Sequence, residues 1–182
     1  MENIKSYIEN AYQDGIFKLP IQVQPINICE FSDLFKYSKM TAYSFIGPAA
    51  YFNKFQTASN FLLHIDNGKI VEFSALVTMK KNCQDEYASL KIEVHNSINS
   101  ILSEGNSIQN QKFEAAPITT IDLLIDKEID MHIECGIIFN KSTKFEVKIV
   151  AEYGMELVVK AFFSKDQPVI FNRHRQLECV TI

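Results

Sequence analysis

Residues 118–139, ITTIDLLIDKEIDMHIECGIIF, decide how this chain is to be read. His132, Glu134 and Cys135 fall within four positions in the most hydrophobic part of the sequence. They could form a reactive cluster, or they could be polar residues riding on a strand. Ile121, Leu123 and Ile125 lead at a period of two to Ile129, Met131, Ile133 and Cys135, while Asp130, His132 and Glu134 occupy the alternate positions. Successive strand side chains point to opposite faces, so Cys135 is separated from His132 and Glu134, and the three cannot close on one metal. The acidic row Asp122, Asp126, Asp130 and Glu134, were the strand continuous, would space its carboxylates about 13 Å apart, too far to share an ion. The expectation is a solvated acidic face.

The same alternation continues outward. In KIVEFSALVTMKK, residues Val71, Phe73, Ala75, Val77 and Met79 share a face, as do Ala88, Leu90, Ile92 and Val94 in YASLKIEVH. Two antiparallel strands joined through Lys81–Glu86 are predicted. Downstream, Phe145, Val147, Ile149 and Ala151 follow a turn at Asn140–Thr143, and Leu157, Val159, Ala161 and Phe163 follow one at Tyr153-Gly154. Residues 69–171 thus read as an antiparallel meander, interrupted by an Asn/Ser/Gln-rich loop or short helix over 96–117.

Upstream the period looks helical. SFIGPAAYFNKFQTASNFLLHIDNG places Ala49, Phe52, Phe55, Ser59, Leu62 and Leu63 on one stripe, with Pro48 suited to a first turn and Gly68 to an end. A long amphipathic helix within 41–68, laid on the sheet, is predicted. Residues 1–40 read as an arm: a short helix over 2–13, an extended edge segment from Lys18 to Ile28, and a second short helix over Phe31–Met40 capped by Ser32 or Asp33. Residues 172–182 form a tail. The fold class expected is α+β, one domain over 1–182, an antiparallel sheet or sandwich with the long helix packed on it and a short helix at the N-terminus.

Composition excludes more than it assigns. The chain has 182 residues, 47% of them hydrophobic and 22% charged, with a net charge of −4. That is an ordinary globular composition, and the acidic balance argues against a nucleic-acid partner. No apolar run approaches the roughly 20 residues of a membrane span. MENIKSYIENAYQ lacks the basic start and apolar core of a signal peptide, and a cytoplasmic location is expected. Cys29, Cys83, Cys135 and Cys179 show neither CxxC spacing nor disulfide density, and are read as reduced thiols.

Part of the sequence resembles a bacterial family catalogued as domain of unknown function 2589. The matching pieces are Ile46-Gly47-Pro48-Ala49, Gln56 to Ala58, and Pro117 through Ile125-Asp126-Lys127-Glu128-Ile129-Asp130-Met131, spanning roughly residues 44 to 140. The chain departs from that pattern at Ile46, at Phe52, Phe55 and Phe61, and at Thr119 or Thr120. The resemblance implies a helix followed by strands and brings no catalytic residues with it.

Candidate chemistry is sparse. His132-x-Glu134 matches half of a zinc-deaminase signature, but no Pro-Cys-x-x-Cys segment accompanies it. No Gly-rich phosphate loop and no calcium loop is present. Arg173 and Arg175 in FNRHRQ could hold an anion or a partner's carboxylate. Phe52 and Phe55 could be surplus to one sheet and meet another copy. No catalytic residue, metal site or cofactor is assigned. The leading expectation is a non-enzymatic structural or interaction protein, partnered by itself or by another protein, with Phe52, Phe55, Arg173 and Arg175 as interface residues. An apolar cavity between helix and sheet for a small molecule or lipid is the alternative. A thiol-dependent hydrolase is the third.

Overall fold

A computed structural model describes residues 12–13, 16–46, 57–58, 60–79, 86–101, 108–128, 131–152, 156–162 and 177–182. These build two facing β-sheets. The first contains β1 (Tyr12–Gln13), β2 (Ile16–Leu19), β5 (Thr57–Ala58), β10 (Ile121–Glu128), β11 (Met131–Phe139), β12 (Val147–Glu152), β13 (Glu156–Ala161) and β14 (Leu177–Thr181). Its centre is β11. On one side of β11 lie β10 and then β14; on the other, β2 runs parallel to its first half and β12, β13 and β5 follow beside its second half. The second sheet has the order β3 (Gln22–Gln24), β8 (Glu86–His95), β7 (Ile70–Met79), β6 (Asn60–Ile65), β4 (Lys39–Ile46) and β9 (Ile108–Pro117).

The β7–β8 hairpin shows why alternation was sufficient there. Its register pairs Val71 with Val94, Phe73 with Ile92, Ala75 with Leu90 and Val77 with Ala88, all on the face that packs into the core between the sheets. That core also takes Ile137 and Phe139 of β11, Ile149 of β12 and Val159 of β13 from the opposite sheet. Aromatic rings fill it: Phe61 meets Phe73 at 6.1 Å, Phe73 meets Phe139 at 6.1 Å, and Phe113 meets Phe162 at 5.1 Å.

The α+β expectation is overturned. Within residues 41–68 the chain forms β4, β5 and β6 rather than a long helix, and residues 47–56 lie outside the described part. The misreading has a physical cause. Phe61 and Leu63 of β6 point into the inter-sheet core, while Leu62 packs on the other face with Ile46 and Ile70. A strand apolar on both faces has no period of two to display. The strands therefore correct the helix implied by Ile46-Gly47-Pro48-Ala49 wherever it is described.

The described residues contain one α-helix, α1 (Ile28–Phe35), shorter and earlier than predicted. Asn27 caps it, accepting from the N–H groups of Cys29 and Glu30, while Glu30 reaches back to the Asn27 N–H. Phe31 and Phe35 enter the core, and the Ser32 hydroxyl donates to the Ile182 carbonyl (3.0 Å). Residues 2–11 of the predicted first helix lie outside the description, and Tyr12–Gln13 is strand. The loop or short helix expected over 96–117 is, among the described residues, a 3-10 turn (Ile98–Ser100) and, from residue 108, the strand β9.

Candidate functional site

The opening stretch is a hairpin, not one long strand: β10 and β11 pair from Ile121↔Phe139 to Glu128↔Met131. Leu124 faces Gly136 and Ile125 faces Glu134, so the register skips Cys135, an extra residue on β11. This bulge shifts the phase of the alternation. His132 and Glu134 consequently lie on the same side as Ile137 and Phe139, while Met131, Ile133, Cys135 and Ile138 occupy the other with Phe17, Leu19 and Leu124. The first sheet is apolar on both faces here.

The polar residues of this stretch that are described each have a structural placement. Glu134 accepts from the Ile21 N–H (2.8 Å) and so anchors the crossover by which the chain passes from β2 to β3. His132 is opposite Lys127 and Lys18, and its buried Nε2 has no hydrogen-bond partner among the described residues. Cys135 is buried, and its thiol donates weakly to the Leu124 carbonyl (3.6 Å). The solvated acidic face is corrected: Asp122 and Asp126 are only 4% and 2% exposed. Asp122 accepts from the Thr181 hydroxyl at 2.5 Å. Asp130 lies outside the description. Among the described residues no three His, Cys, Asp or Glu side chains come together as a metal set.

A titratable network that the sequence reading missed lies on the outer face of the second sheet. Glu72, nearly buried, accepts from the Asn60 amide and meets His95 Nε2 at 2.8 Å; His95 Nδ1 lies 3.4 Å from Ser100 Oγ. Beside it Ser44 Oγ is 2.7 Å from His64 Nε2. Burial pushes His64 below the usual imidazole range, and which of the two groups donates follows from the tautomer of the ring. Acid, imidazole and hydroxyl in that order have the connectivity of a hydrolase triad. The geometry points elsewhere: Ser100 donates its proton to the Ser97 carbonyl at 2.6 Å, and Ser44 is fully buried. The network staples the 97–101 turn to β7 and β8. The signal was present in the sequence, because an antiparallel pairing of two strands whose inner residues are Val71 and Val94 necessarily sets Glu72 and His95 on the outside together.

The sheet edges differ sharply. The second sheet ends at β9, whose pairing with β4 jumps from Ala42↔Lys112 to Met40↔Ala116, so the strand bulges; Lys112, Glu114 and Pro117 are exposed on it. A bulge, charges and proline are the devices that stop an edge from templating another strand. β3, β1 and β5 are three residues or fewer. β14 has neither the bulge nor the proline. LECVT pairs with β10 in an unbroken register, Asp122↔Thr181 to Asp126↔Leu177, and among the described residues β10 is its one neighbour. It holds no proline and no cation. Its single charge, Glu178, is drawn to Lys127 of β10 (3.0 Å), and Val180 is 39% exposed. The neighbouring Cys179 thiol raises Lys141 above its ordinary value.

The interface residues expected from sequence, Phe52, Phe55, Arg173 and Arg175, all lie outside the described residues. No described helix is long and apolar enough to cross a membrane. No protein-family model, no curated protein and no solved structure matches this chain. Function here has to be read from geometry.

Proposed function

We propose that this protein is a non-enzymatic interaction module that joins an assembly by taking up a further strand on the open edge of its first sheet. The observation that carries the reading is β14: a five-residue strand whose outer backbone groups have no strand beside them among the described residues, where the second sheet's long edge, β9, is bulged and carries proline. The chemically suggestive side chains support it too, because Glu134, Glu72, His95 and Ser100 are committed to bonds that hold the fold. The apolar-cavity alternative drew on a helix laid over a sheet, and strands stand in its place.

The ladder gives a direct test. The Ile182 N–H donates to the Ile121 carbonyl (3.0 Å), which sets the phase of the β14–β10 ladder. Backbone groups of Glu178, Val180 and Ile182 therefore turn toward β10, and those of Leu177, Cys179 and Thr181 turn outward. Amide hydrogen exchange should find Val180 protected throughout. Cys179 and Thr181 should gain protection when the protein is concentrated or when a peptide of residues 177–182 is added. Unprotected amides at Cys179 and Thr181 under both conditions would overturn the proposal.

A further inference from the structure

We infer that the strand taken up by β14 is β14 of a second copy, antiparallel, with the twofold axis at Cys179. The inference rests on reading β14 as the working edge and names its partner. In a twofold antiparallel pair, outward-turned residues must meet outward-turned residues. With Leu177, Cys179 and Thr181 facing out, the axis can pass through Glu178, Cys179 or Val180.

Charge and overlap choose among the three. An axis at Glu178 sets two carboxylates directly opposite each other, which is unfavourable. An axis at Val180 leaves Leu177 without a partner among residues 177–182. An axis at Cys179 pairs all five residues: Leu177 with Thr181 of the second copy, Cys179 with its own counterpart, and Glu178 with Val180. Three outward pairs would then exchange about six hydrogen bonds. Glu178 keeps Lys127 as its ion partner, and the exposed Val180 gains the stem of the second copy's Glu178 beside it. The eight-stranded sheet would continue without a break into its twin.

Val180 reports the register because its side chain is exposed and its backbone bonds run to β10. In this pairing V180K places a lysine opposite Glu178 twice per dimer, and V180E places a glutamate there twice. Sedimentation equilibrium should show V180K tightening the dimer and V180E loosening it, each by about two- to thirty-fold in Kd. Urea midpoints of both variants serve as the folding control. Independently of any substitution, a short bis-maleimide should link Cys179 to Cys179 in the wild-type dimer, identified by mass spectrometry. If both substitutions weaken the dimer alike, or neither changes it, the register is wrong. If the wild type and V180K stay monomeric while the 177–182 peptide still protects Cys179 and Thr181, the second copy is excluded and the open edge stands. Failure of the peptide as well removes both.

Discussion

Replacing Gly136 by alanine should be among the most damaging single-methyl changes available in this chain. A Cβ at Gly136 would sit 2.5 Å from the Ile149 carbonyl oxygen, 3.2 Å from Leu124 Cδ1 and 3.3 Å from the Val150 Cα. Real Cβ contacts do not fall below about 3.0 Å, so β11 and β12 would have to part by about 0.5 Å. The obstacle is backbone held in a ladder, not the end of a flexible side chain, and the next residue is the Cys135 bulge that sets the phase of β11. Overpacking in a core costs about 1 to 3 kcal/mol, and a rigid obstacle belongs at the upper end. With a urea slope of about 2 kcal/mol per molar, the midpoint should fall by roughly 1 to 1.5 M. Gly68 is the control. Its φ is +83° with open space around the missing Cβ, so Gly68→Ala costs only backbone strain of about 1 to 2 kcal/mol. Gly68→Asn should recover part of that loss and Gly136→Asn none. A Gly136→Ala midpoint within about 0.3 M of the wild type would refute the close β11–β12 approach.

Glu134→Ala should cost about 1 to 3 kcal/mol in urea unfolding, because the part-buried Ile21 N–H loses its acceptor, and Glu134→Gln should cost less because a carbonyl remains. Asn140 accepts from the Thr119 N–H and hydroxyl, donates to the Pro117 carbonyl and adopts a φ of +53°. Asn140→Ala should therefore cost about 2 to 4 kcal/mol by the same assay. For His64 the sign follows from burial: its folded pKa is below the ordinary 6.5, so the unfolded chain binds more protons in acid. This contribution is complete above pH 6.5 and is lost as pH falls toward the lowered value; His64→Gln should narrow the gap between urea midpoints measured above and below 6.5. An unchanged gap would show that His64 is not the group responsible.

What could be read from the sequence depended on how many faces each strand buries. β7 and β8 bury one apolar row each, and Val71, Phe73, Leu90 and Ile92 announce it. β6 buries Phe61, Leu62 and Leu63 in succession, and a run of that kind carries no phase from which strand or helix could be chosen. The β10–β11 hairpin failed differently. Its alternation was correct locally, but a single extra residue at Cys135 reversed the sides of everything after it, and burial on both faces put Asp122 and Asp126 where water was expected. Asn27 with Glu30 carried a legible capping signal that the apolar spacing of Phe31 and Phe35 obscured by drawing the helix too late.

The site was less legible than the fold for a related reason. Side chains can advertise catalysis or metal binding, whereas an open edge is a property of backbone groups and appears only once the strand order is known. LECVT reads as an ordinary strand, and neither its position at the margin nor the phase of its ladder is written in its composition. β9 shows that this chain carries ample means of closing an edge: a bulge, Lys112, Glu114 and Pro117. On β14 the one charge is turned to Lys127 of its own sheet, and Leu177 and Cys179 spend their apolar surface on packing against the first sheet. The outward N–H and C=O groups of Leu177, Cys179 and Thr181 can then be satisfied by water or by another strand. A strand satisfies them while also covering Val180, and that difference is the physical basis for reading this edge as a place of assembly.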